Sequence, residues 1–330
     1  MRKTIGCAAV AAMIVGACGT RAQKLLVVNQ HDRTVSILDA ASGNKLASIA
    51  EPIAGQWGHE VAVSPDGKTA YVPIYGNSGV GRPGVDGQVM LVIDVPSHTI
   101  VRTVDFGHPV RPHLPVLDAQ RHLLYVTTEL DDAVTAIDTR TLQMVGKIPT
   151  GQAESHMLAL SRDGRFGYTA NVDPGTVSVL DMAGRRTLAV IPVAQKIQRI
   201  SITPDDRLVF TSDQHQPRLA VIDTTTRKVR QWIGLSGTGY GSAVTPDGKW
   251  LLVAIPAKNA VDVVDLKTML VARSVSVAAD PQEVLIRPDG EVAYVSCAGS
   301  GQVAAIDLEQ WKVQKLMQAG AFDDGLGWAP

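Results

Sequence analysis

One residue type at one interval constrains this chain more than anything else. Aspartate closes an apolar, β-branched run at Asp39, Asp94, Asp138, Asp181, Asp223, Asp265 and Asp307, at intervals of 55, 44, 43, 42, 42 and 42 residues. Around Asp181 the unit reads as four short strands. They are His156 to Ser161, Tyr168 to Val172, Val177 to Asp181 and Thr187 to Val193, parted by turns rich in Gly, Pro, Asp and Arg. Short β-branched runs between such turns are a strand pattern, and no helical period competes with it. Four strands leave both faces of a small sheet uncovered, so one copy cannot stand alone. A four-stranded unit repeated at this length predicts the blades of a propeller.

Two further columns run in register with the first. Pro65-Asp66-Gly67, Pro204-Asp205, Pro246-Asp247-Gly248 and Pro288-Asp289-Gly290 mark the turn before each second strand. Tyr71-Val72, Tyr125-Val126, Phe210-Thr211 and Tyr294-Val295 mark the strand itself. With Tyr125-Val126-Thr127-Thr128, Tyr294-Val295-Ser296-Cys297, the Ser64 to Lys68 turn and Ile137-Asp138-Thr139, the chain resembles the YVTN-type β-propellers over about residues 24–330. These are secreted bacterial proteins similar in fold to YncE-like and lactonase-type propellers. The resemblance implies a fold more than a function, because one scaffold hosts many activities.

The ends of the chain predict how the ring closes. Residues 24–50 supply only three strands, and Asp324 to Pro330 matches the first strand His59 to Pro65. The C-terminal strand, 325–330, is therefore expected beside 24–30, completing seven blades and leaving no free edge there. The result is one all-β domain, 24–330. Residues 1–23 read as a secretory signal, with Arg2-Lys3 before a short apolar run. Val15-Gly16-Ala17-Cys18 resembles a lipobox, so Cys18 is a candidate lipid anchor, with ordinary cleavage near Ala22 as the alternative. The expected location is the periplasm or cell envelope, with membrane contact only through that anchor.

Charge and cysteine content narrow the partners. The formal net charge is −1, which offers nucleic acid no basic surface. The body carries one cysteine, Cys297, which excludes a disulfide framework and CxxCH attachment of a c-type heme. Cys297 falls inside a predicted strand and is read as a core residue.

Strand direction separates two faces. The turns between first and second strands, and between third and fourth, share one face and carry the Pro-Asp-Gly and post-aspartate turns. His98 and His122 fall there. The other face starts each inner strand, seven residues before the turn aspartate or its aligned position. Around the ring that position holds Asp324, His59, His113, His156, Gln198, Tyr240 and Gln282. Glu60, Arg111, Glu154, Arg199 and Glu283 lie beside it, and His31, His108 and His215 lie in loops on the same face.

Histidine on three successive blades could bind a divalent transition metal (Zn, Cu or Fe) through His59, His113 and His156, with Glu60, Glu154 or water completing the shell. The other reading has the same histidines hydrogen-bonding a metal-free channel mouth. A glycine-rich insertion, Tyr75 to Gly87, rises over this face and suits either a surface excursion or a lid.

Three functions fit. A binding or interaction protein would use the mouth for a small molecule, a glycan or an envelope protein. A hydrolase of lactonase type, or a metal-dependent enzyme, would act at the same mouth, although no catalytic residue can be named. A surface-layer or adhesion module would ask nothing of the histidines.

Overall fold

The aspartate column turns out to be a column of turn caps. In the computed structural model, which describes residues 23–330, Asp39 Oδ1 accepts the Ser42 amide at 2.7 Å. Asp94, Asp181 and Asp223 do the same for Ser97, Gly184 and Thr226. A carboxylate bonded to the backbone a few residues on is an Asx turn, which sets the bend between third and fourth strands. The Pro-Asp-Gly column has a parallel role. Asp66 accepts the Ser64 hydroxyl at 2.6 Å and the Lys68 amide at 3.1 Å, and Asp163, Asp205 and Asp247 repeat the pair. The signal segment and Cys18 lie outside the described residues.

These turns join antiparallel strands into seven sheets, the all-β propeller that the repeat implies. Blade 1 has the order Asp323–Ala329, Lys24–Asn29, Thr34–Asp39, Lys45–Ala50. The closing strand pairs Lys24 with Ala329, Leu25 with Trp328 and Leu26 with Gly327. Both ends of the chain therefore share one sheet, as the matching sequence ends require.

The hydrophobic core sits between blades. Leu26 and Ile37 of blade 1 pack with Val72, Leu91 and Ile93 of blade 2. On the other side of blade 1, Leu25, Leu38 and Leu326 pack with Tyr294 and Met317 of blade 7. Each fully buried aliphatic side chain contributes on the order of 1.5–3 kcal/mol, so every blade depends on its neighbours. Cys297 is one such residue, fully buried between blades 6 and 7. Burial pushes its thiol up to about 12, which leaves no thiolate for chemistry.

Blade 2 departs from the expected plan in two ways. Its inner strand is split into Trp57–Gly58 and Ala62–Val63, leaving His59 and Glu60 in the break. The insertion is also shorter than Tyr75 to Gly87. Strand Thr69–Gly76 runs past Tyr75 and Asp86–Asp94 already includes Gly87, so the loop proper is 77–85. Backbone contact explains the difference. A Cβ on Gly87 would lie 1.7 Å from the Ile74 carbonyl oxygen, so glycine here lets the two strands close and continue the ladder.

Candidate functional site

A slip in the strand ladder builds the channel mouth. Pairing skips at Asp324-Gly325, His113-Leu114, His156, Arg199-Ile200 and Gln282-Glu283, and blade 2 breaks at His59-Glu60-Val61. Two residues before the mouth position, Arg111, Glu154, Asp280 and Phe322 adopt φ of 51°, 52°, 58° and 57°. Left-handed non-glycine residues beside a bulge redirect the side chains just after them. The irregularity brings Glu60, Arg199 and Glu283, each one residue after the mouth position, to the channel as well.

Blades 2 to 4 make an imidazole half. The rings of His59 and His113 lie 5.2 Å apart, and those of His113 and His156 only 3.7 Å apart. Tyr75, fully buried, stands among them at 4.5 Å from His59 and 5.1 Å from His113. Glu129 ties the group together: one carboxylate oxygen contacts His156 Nδ1, and the other accepts the Tyr75 hydroxyl at 2.9 Å. Burial pulls the His59 imidazole down to about 4, against the raising effect of Asp324. Burial, reinforced by the neighbouring His156 and His59, holds His113 well below its ordinary range. Both are neutral near pH 7. His59 Nε2 and His113 Nδ1 are buried with no hydrogen-bond partner.

The opposite half is ionic. Arg199 of blade 5 reaches across the channel, bonding Glu60 of blade 2 and Asp324 of the closing strand, the latter at 2.8 Å. Its guanidinium also lies 4.9 Å from the Tyr240 ring. Asp324 accepts Gln30 Nε2 at 2.7 Å, and Glu283 accepts the Leu326 amide at 2.6 Å. Burial pushes Glu60 well above the usual carboxylate range and Glu283 up to about 7, with Arg199 pulling both back. Burial disfavours the Arg199 charge too, but Glu60 and Asp324 outweigh it and raise its pKa.

The 77–85 loop is fastened over the imidazole half. Arg111 bonds Asp86 Oδ1 through Nε at 2.9 Å and Nη2 at 2.7 Å, and reaches the Gly79 carbonyl at 3.3 Å. Its Nη1 lies 3.6 Å from Glu129. Arg111 therefore links the loop to the carboxylate that holds His156 and Tyr75.

The predicted residues do not all meet. His59, Glu60, Arg111, His113, His156, Arg199, Tyr240, Glu283 and Asp324 surround the mouth. Glu154 stands on the rim, where it accepts the Asp173 amide at 3.0 Å. Gln282 turns back to Asp280. His31 stacks on Phe322 and His108 pairs with Asp131, both away from the cluster. His98 and His122 sit in turns of the opposite face with φ of 59° and 55°. Sequence reasoning missed Tyr75 and Glu129. Both follow or end a second strand, and strand direction puts that loop on the mouth face, which was the available signal.

A three-histidine metal centre is not preformed. Ligand nitrogens must converge on one point, whereas the His113 and His156 rings pack against each other at 3.7 Å and His156 Nδ1 is held by Glu129. Glu60 and Glu154, expected to complete the shell, are engaged elsewhere. Among the described residues no group of three or more His, Cys, Asp or Glu is placed to hold a metal ion.

Fold and mouth define a seven-bladed propeller with a buried, polar channel entrance. Residues 85–322 match the Cytochrome D1 heme domain family, and the chain belongs to it. Among solved structures it is similar to Kuenenia stuttgartiensis hydrazine synthase, with a TM-score of 0.70 and 19% identity over 83% of this chain and 89% of that one. It is also similar to the dihydro-heme d1 dehydrogenase NirN in complex with DHE, with a TM-score of 0.65 and 15% identity over 92% and 74%. These likenesses show a shared fold. No curated protein sequence matches.

The family name raises the question of heme, and the mouth as arranged does not fit one. A heme is a flat macrocycle edged with carboxylates. Tyr75, His113, Glu129 and Arg199 are no more than 3% exposed, and the His113 and His156 rings touch. The nearby guanidiniums, Arg111 and Arg199, are already paired with Asp86, Glu60 and Asp324. The other charges at hand are carboxylates, which repel those of a heme.

Proposed function

We propose that this protein is an exported binding module whose site is the imidazole half of the channel mouth, reached by movement of the 77–85 loop. One observation carries the reading. His113 is 1% exposed, contacts two other imidazoles, and keeps Nδ1 without a partner. A buried polar atom left unpaired costs about 1–3 kcal/mol, and an apolar side chain there would avoid that cost. A ligand that bonds the nitrogen gives the arrangement a purpose. Export rests on residues 1–23, and the occupant is read as a small molecule because the imidazole rings stand only 3.7 and 5.2 Å from one another.

A second reading, an enzyme, draws on the Glu129–His156 pair, which resembles an oriented general base. Against it, neither ring nitrogen of His156 meets a hydroxyl or thiol. Nδ1 meets Glu129 and Nε2 meets the Gln198 amide at 3.4 Å. The nucleophile–base contact of covalent catalysis is therefore missing.

The test is a fragment screen on protein labelled at its histidine rings. Shifts should gather at His59, His113, His156 and the amides of 77–85, and His113→Ala should remove them while His122→Ala does not. Hits confined to the cavity of about 930 Å³ on the turn face, between blades 5 and 6, would reject the mouth as the site.

A further inference from the structure

The contacts around the three imidazoles distinguish their ring nitrogens. His156 Nδ1 faces the Glu129 carboxylate and so carries the proton. Its Nε2 faces the Gln198 amide nitrogen, a donor that also serves the Tyr240 oxygen at 2.9 Å, and so presents a lone pair. His59 Nδ1 lies 3.8 Å from Asp324, too far for a hydrogen bond but near enough for the carboxylate to favour the proton on that side, and Nε2 is unpartnered. His113 Nδ1 is likewise buried without a partner. A carboxylate or carbonyl on one imidazole nitrogen fixes the tautomer at the other. The cluster therefore offers the His156 Nε2 lone pair beside two buried ring nitrogens, on His59 and His113, that have nothing to bond.

The surrounding charge points the same way. Asp86, Glu129 and Asp324 stand at the mouth beside the Glu60 and Glu283 carboxyls, and among the described residues Arg111 and Arg199 stand against them. We propose that the mouth takes a small protonated amine, its N–H groups donating to the bare nitrogens of His59, His113 and His156 and its charge balanced by the carboxylates around them. This rests on the mouth being a ligand site at all. A primary ammonium carries three donors and bonds at ordinary hydrogen-bond distance, so the rings need not converge as a metal requires. Glu129 is the positioning residue, because its close contact with Nδ1 turns Nε2 of His156 toward the mouth, with the Gln198 amide at 3.4 Å on the other side.

The test uses the full-length protein with ring-labelled histidine, observed by nitrogen-15 NMR and titrated separately with methylammonium chloride, zinc chloride and sodium acetate. Before any addition, His156 should show a protonated Nδ1 and a bare Nε2. Methylammonium should shift all three mouth imidazoles and acetate should shift none. Glu129→Gln lets an amide donate to Nδ1 and turns the proton to Nε2. The His156 signature should invert, and methylammonium affinity should fall by about tenfold or more, as for one lost charge-assisted hydrogen bond. Acetate or zinc alone shifting these rings overturns the amine while the ligand site stands. No probe reaching any mouth imidazole overturns both. Unchanged affinity in Glu129→Gln, with Nε2 now protonated, contradicts the role given to the lone pair.

Discussion

The two faces of this propeller obey opposite rules. On the turn face one residue does one job in blade after blade: Asp39, Asp94, Asp181 and Asp223 each cap the same bend. On the mouth face one backbone position holds Asp324, His59, His113, His156, Gln198, Tyr240 and Gln282 in turn. The frame is built by sameness and the site by variation on it. Substitutions on the turn face should therefore be shared out and mild, while those at the mouth should be singular and large.

Removing residues 323–330 should have the largest effect. It strips the inner strand of blade 1, its partners for Lys24 to Asn29, and Asp324 from the channel. No cooperative thermal transition should remain. A truncated protein that melts like the full chain would show that the mouth does not depend on ring closure.

Arg199→Met comes next. It leaves Glu60 and Asp324 buried without their cation, a loss of about 3–5 kcal/mol in denaturant unfolding. A cost under about 1 kcal/mol, the range of surface ion pairs, would place Arg199 on the mild side of the comparison.

The faces should also respond to pH with opposite sign. In the mouth, burial raises Glu283 from 4.5 to about 7. Between those values the folded protein holds a proton that the unfolded chain has lost, so stability falls as pH rises. On the turn face, hydrogen bonds from Thr226 hold Asp223 below its ordinary 3.8. The unfolded chain there binds the proton first, so stability falls as pH drops below 3.8. Melting scans should show Glu283→Gln flattening the decline between pH 4.5 and 7, with no such change in Asp223→Asn. His59, lowered from 6.5 to about 4, opposes Glu283 between pH 4.5 and 6.5, so the comparison is made variant against variant. The same slope in both variants would erase the distinction.

Asp223→Ala should be the smallest change, lowering Tm by about 2–4 °C for one lost turn hydrogen bond with methylammonium binding intact. A loss of binding would mean that the faces are coupled.

Much of this was legible because the turn face repeats. Seven aspartates and the matching ends, Asp324 to Pro330 against His59 to Pro65, specify blade count and closure. The mouth histidines were legible by counting from the same turns. Ring orientation was not. A triplet of histidines suggests converging ligands, and only packing reveals that the His113 ring sits tilted against His156 at 3.7 Å with Glu129 bonded to the latter. Tyr75 hid in an insertion whose strand runs further than its glycines imply. Glu129 hid in a loop that no column marks.

The central claim is that the mouth is dry and closed, holding neutral imidazoles ready for a partner. It is tested most directly by following the ring signals of His59 and His113 through an acid titration of the ligand-free protein. His59 should protonate near pH 4 and His113 well below the ordinary imidazole value of about 6.5. Both rings titrating at about 6.5 would mean that water fills the mouth and that the unpartnered nitrogens are already satisfied.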